Sequence, residues 1–125
     1  MKRGTTPTLP VRLKINNADV ASAIFLFKQE KSETAPAILT KTYPDDVNYD
    51  ELRSVYCVEF TEDETWLFTE DKPFFMDTKI TLTNGKIPET PIVTLRMHPT
   101  LFAEPSALDE VEDIAEESPS EYPIE

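Results

Sequence analysis

At 125 residues, 39% of them hydrophobic, the chain suffices for one domain with a modest core, and no stretch approaches the roughly 18 consecutive apolar residues of a membrane-spanning helix. A lone cysteine, Cys57, excludes an internal disulfide framework and fits a reducing compartment. The net charge of −12 is lopsided: nine acidic residues and no Lys or Arg follow Ala103, against 15 acidic and 12 basic residues before it, so neither part offers the basic surface that binding to a phosphate backbone requires.

The N-terminus, Met-Lys-Arg-Gly-Thr-Thr-Pro-Thr, has two cations but no apolar region after them, so no signal peptide is read there and a cytoplasmic site of synthesis is expected. Pro7 and Pro10 have no amide hydrogen to give to a sheet ladder, which places them at a strand entry or on an edge. From Leu9 the odd positions Leu9, Val11, Leu13 and Ile15 are apolar while Arg12, Lys14 and Asn16 are polar. That two-residue period predicts a strand with one buried face. Asn16-Asn17-Ala18-Asp19 supplies turn residues. Ala23 to Lys28, dense in aromatic and β-branched side chains, predicts a central strand.

A polar loop, Gln29 to Pro36, leads to a third strand over Ile38 to Tyr43, interrupted by Pro44-Asp45-Asp46. Asp50 to Arg53 fits either a helical turn or a loop. Ser54 to Phe60 alternates again, with Tyr56, Val58 and Phe60 on one face and Cys57 and Glu59 on the other. Thr61 with Glu64 three residues later forms a capping-box pattern, which predicts one or two helical turns over Glu62 to Phe68. Trp66, Leu67 and Phe68 are expected to plug one end of the core.

Phe74, Met76, Ile80 and Leu82 then alternate with Asp77, Lys79, Thr81 and Thr83, and Asn84-Gly85 predicts a type I′ hairpin turn with positive φ at both residues. Lys86 to Thr90 is expected to pair back across that turn. Pro88 and Pro91 imply an edge position, a bulge or a crossing between sheets before a last strand, Ile92 to Met97. The fold class that follows is all-β: a small antiparallel immunoglobulin-like sandwich of six to seven strands with one short helical turn. Its core is expected to join Met76, Ile80, Leu82, Val93 and Leu95 to Val11, Leu13, Phe25, Phe27, Val58 and Phe60. This domain spans residues 1–102, with an extended arm over 1–8. Residues 103–125 read as an acidic, disordered tail, although Ser106 could cap a short helix whose apolar stripe is Leu108, Val111 and Ile114.

Residues able to carry chemistry are few. His98 is the only histidine and has no second ligand close in sequence, so a structural or solvent-facing role is expected. Cys57 has no partner base and reads as a small apolar strand residue. Glu59, Glu62, Asp63 and Glu64 lack the spacing of a calcium loop and read as a solvated helix cap. No glycine-rich phosphate loop exists, because the only glycines are Gly4 and Gly85. These readings predict no enzymatic activity, no cofactor and no metal.

The segment Arg3-Gly4-Thr5-Thr6-Pro7-Thr8 running into an alternating strand, with Thr61-Glu62-Asp63-Glu64-Thr65 after a later strand, resembles small structural proteins of tailed phages and prophages. More distantly it is similar to the N-terminal domain of the phage baseplate upper protein family. That resemblance covers about Arg3 to Met97 and implies an attachment or adaptor module of a virion, expected to bind other virion proteins in many copies within a symmetric assembly, while the charge and the short apolar runs lead to no expected nucleic acid or membrane partner. Arg3, Thr5, Thr6 and Thr8, together with Leu108, Val111 and Ile114, are the residues expected to make those contacts. The rival expectation is a soluble acidic regulator, or a DNA mimic acting on a basic host protein.

Overall fold

Two antiparallel sheets pack face to face, and a computed structural model of the chain describes them over residues 1–101. The strands are β1 (Thr8–Val11), β2 (Val20–Lys28), β3 (Ala37–Tyr43), β4 (Asn48–Asp50), β5 (Val55–Glu59), β6 (Pro73–Leu82) and β7 (Val93–Arg96). One helical turn, α1 (Glu62–Thr65), joins β5 to β6, and a 3-10 turn over Asn17–Asp19 precedes β2. The strand orders are β1-β5-β4 and β3-β2-β6-β7. Layering and strand count are those of the expected immunoglobulin-like sandwich.

Each expected face can be checked against burial. Phe25 and Phe27 on β2, Tyr56 and Val58 on β5, Phe60 just beyond it, and Phe74, Met76 and Ile80 on β6 all lie inside. Rings join the two layers: Phe27 meets Phe60 edge-on at 5.3 Å between centroids, and Tyr43 meets Tyr56 at 5.0 Å. Phe68 fills one end of the sandwich against Phe74 at 4.3 Å. Of the three apolar residues expected there, Phe68 is fully buried and Trp66 is half-buried, while Leu67 stays 54% exposed. The helix is shorter than expected because the Trp66 and Leu67 amides fall back on the i−3 carbonyls of Asp63 and Glu64, a tighter winding that ends the regular turn.

The capping box is complete. Thr61 Oγ1 accepts from the Glu64 amide at 3.2 Å, and Glu64 Oε1 accepts from the Thr61 amide at 2.8 Å. Lys41 reaches the same carboxylate from the inner face of β3, with Nζ 2.9 Å from Oε1 and 3.0 Å from Oε2. This pair ties the helical turn to the four-stranded sheet.

Three expectations are corrected. Asn84 is not among the residues with positive φ, and only Gly85 has it, at +85°. The Gly85 amide donates to the Leu82 carbonyl and the Leu82 amide to the Lys86 carbonyl, both at 2.9 Å, which makes a three-residue connection with glycine at its left-handed position. Beyond the Lys86 carbonyl, Ile87 to Thr90 adds no ladder pair, Pro88 having no amide to give, and β7 rejoins β6 only at Pro73 to Met76. Finally, β1 ends at Val11. Its partner β5 begins at Val55, and the Val11–Tyr56 pair is the last rung available. Leu13 and Ile15 keep their apolar face, half-buried against the core, with no neighbouring strand among the described residues.

Candidate functional site

The two early endings fall on the same side of the sandwich. There the chain from Val11 to Ile15 faces the chain from Pro88 to Val93 across a groove of about 430 Å³. Met76, Thr78 and Ile80, the inward-facing residues of β6, form its floor. In a closed sandwich a strand would continue on the open edge of β6 past Met76, but here that edge meets proline-broken chain. A side-chain bond takes the place of a ladder rung, with Thr90 Oγ1 donating to the Thr78 carbonyl. Val93 of the lining is 38% exposed, and Ile87 and Ile92 of the same proline-broken segment are exposed at 54% and 44%. On the opposite wall Arg12 and Lys14 point to solvent. The Arg12 guanidinium donates to the Arg53 carbonyl at 3.0 Å, in the connection between β4 and β5. Glu89 is the one acidic residue of the lining.

The N-terminal lead-in is folded onto its own domain. The Arg3 amide donates to the His98 carbonyl at 3.0 Å and the His98 amide to the Met1 carbonyl at 2.7 Å, a parallel bridge between the two ends of the body. The Arg3 guanidinium lies over the Trp66 ring at 4.9 Å, donates to the Trp66 carbonyl at 3.2 Å and pairs with Glu70 at 3.3 Å. Gly4, at φ +78°, donates its amide to Thr65 Oγ1 at 2.9 Å. Thr8 belongs to the ladder opposite Glu59. Thr5 and Thr6 are exposed, with the Thr5 hydroxyl bonded to the Lys2 carbonyl. Leu108, Val111 and Ile114 lie outside the described residues.

No protein-family model matches the chain, and no curated protein matches it significantly.

Chemistry-bearing side chains are placed apart. His98 is exposed and uses its backbone in the bridge to Met1 and Arg3. Cys57 is a half-buried free thiol on β5. Among the described residues no three His, Cys, Asp or Glu side chains converge as metal ligands. Burial raises the Glu64 carboxyl, but its hydrogen bonds from Thr61 and the Lys41 ammonium outweigh that and hold it below the usual value. Tyr56 is the most perturbed group. Burial, then the neighbouring Tyr43 and Tyr49 rings, push its hydroxyl up to about 12, and it donates to Asn17 Oδ1 at 2.7 Å. A phenol so held stays protonated near neutrality and acts as a packed donor.

Sequence reasoning expected the contacts at the chain ends and did not single out the groove. Its signals were present: the alternation of Leu13 and Ile15 continues past the last ladder pair, and two prolines interrupt the opposing segment. Neither pattern by itself says that the two segments face each other.

Proposed function

We propose that the chain is a non-enzymatic structural protein of a tailed-phage virion, an adaptor that binds other virion proteins and is present in many copies within a symmetric assembly. The observation that carries this reading is the open edge among the described residues, where β6 runs past β7 and the chain after β1 runs past β5, with an apolar groove between them. Free strand edges recruit extended segments through main-chain hydrogen bonds, and adjacent pockets select the side chains. Repetition in a symmetric particle makes individually weak contacts sufficient. Thr5, Thr6 and Thr8 of the lead-in are exposed and accessible for such contacts, and the Arg-Gly-Thr-Thr-Pro-Thr start supports the phage resemblance.

The concentration of nine acidic residues after Ala103 favours a second reading, a soluble acidic regulator of a basic host protein. Mass spectrometry of purified particles separates the two. Stoichiometric presence of the chain in the virion is expected, and its presence in the infected cell with absence from particles refutes the adaptor reading.

A further inference from the structure

The groove between Val11–Ile15 and Pro88–Val93 is apolar at its floor and basic along one wall, and the chain itself contains a segment of matching chemistry. We infer that the acidic segment 103–125 seats in this groove of its own domain, with Leu108, Val111 and Ile114 toward Met76 and Ile80 and its carboxylates toward Arg12 and Lys14. This occupancy uses the same groove as the adaptor reading, so a partner segment would enter it by displacing the tail.

Charge argues for it first. Arg12 and Lys14 are exposed on the wall, and among the described residues no acidic side chain is paired with either. Glu89 on the facing wall is of the wrong sign, which directs the carboxylates to the β1 side. The segment brings nine acids and no cation, and Leu108, Val111 and Ile114 give it apolar side chains at a spacing of three. A groove of about 430 Å³ accepts a few aliphatic side chains and not a folded domain.

Reach agrees. β7 leaves the sheet at the Pro73 end of β6, whereas the floor is centred on Thr78, five residues along the strand or about 17 Å away. Leu101 lies five residues past Arg96, so at most about 34 Å separates it from Thr78, and Ile114, thirteen residues beyond Leu101, spans about 43 Å when extended. A tether of this length holds the segment at an effective concentration of order mM, far above what a second copy supplies in dilute solution.

The test uses the full chain with Cys57→Ser and Ala115→Cys, carrying a nitroxide at position 115, and reads the loss of amide NMR intensity. Strong loss is expected at Arg12, Lys14 and Glu89 and far less at Thr69 or Glu70, which lie beyond the Pro73 end of β6. Adding Arg12→Glu and Lys14→Glu should restore those intensities. Loss that is absent, or spread evenly over the domain, overturns the inference, as does loss that survives the charge reversal. A mixture of isotope-labelled chain without nitroxide and unlabelled chain carrying it tests the second copy. Loss of the same intensities in that mixture overturns docking of the segment on its own domain, and unchanged intensities there support it.

Discussion

Removing Lys41 should uncouple the helical turn from the four-stranded sheet. Its ammonium contacts both oxygens of Glu64, and the two side chains are 14% and 22% exposed. Fully exposed pairs are worth about 0.2–1 kcal/mol, whereas breaking a buried pair costs about 3–5 kcal/mol. A pair between those limits, with the carboxylate still held by the Thr61 amide, predicts a loss of about 1–2 kcal/mol for Lys41→Met. In a domain of this size that is a fall in Tm of roughly 5–15 °C. Glu64→Gln keeps an acceptor for the Thr61 amide but removes the charge, so a double-mutant cycle isolates the pair and should give a coupling of about 1 kcal/mol. Urea unfolding followed by fluorescence of Trp66, the only tryptophan and the residue next to the helical turn, measures each corner. Single-variant losses that add to within about 0.3 kcal/mol would refute the coupling.

The same pair sets an acid limb. Burial works against ionisation of Glu64, but Thr61 and Lys41 leave its carboxyl below the ordinary value of 4.5 in the folded state. A depressed folded-state pKa contributes stability that is present above pH 4.5 and is lost as pH falls through the folded value. Lys41→Met should therefore flatten the fall in stability below pH 4.5, and an unchanged acid limb would show that the pair carries none of it.

Three further outcomes are expected. Gly85→Ala should cost about 1–2 kcal/mol, because φ is +85° although space around it is open, whereas Asn84→Ala should cost less, losing only its bond to the Lys86 amide; equal melting shifts for the two would contradict the turn geometry. Gly4→Ala should be worse than Gly85→Ala, since it adds to a positive φ a Cβ only 3.3 Å from Trp66 Cζ2, and thermal melting ranks the two directly. Deleting residues 103–125 should leave cooperative unfolding intact, because the buried core of the sandwich is drawn from residues 20–97; a broad, non-cooperative melt of the truncated chain would contradict this.

Period-two alternation identified most of the strands because it reports which face of the chain is buried. It could not report whether a partner strand lies alongside. Leu13 and Ile15 therefore read as strand, although the ladder ends at Val11, and Val93 read as core, although it is 38% exposed at an edge. Asn-Gly identified a hairpin connection correctly, but the choice between a two-residue and a three-residue loop depends on what the returning chain can donate, and Pro88 and Pro91 remove that. The Thr61–Glu64 box was legible because both of its hydrogen bonds are local. Lys41, its third member, arrives from 23 residues away and has no local signal. The groove escaped sequence reading for the same reason, since its two walls are more than 70 residues apart. Arg3 was expected to contact a partner, and the contacts it makes in the described residues are with Trp66 and Glu70 of its own domain, which no local sequence signal places beside it.

The parallel bridge between Met1–Arg3 and Met97–His98 gives the body a mechanical property. Tension applied to the two ends pulls these neighbouring parallel segments in opposite directions along their own axes. The bonds from His98 to Met1 and from Arg3 to His98 are then loaded in shear, so they resist together and do not open one after the other. The module should behave as a latch under stretching, holding until both bonds fail at once.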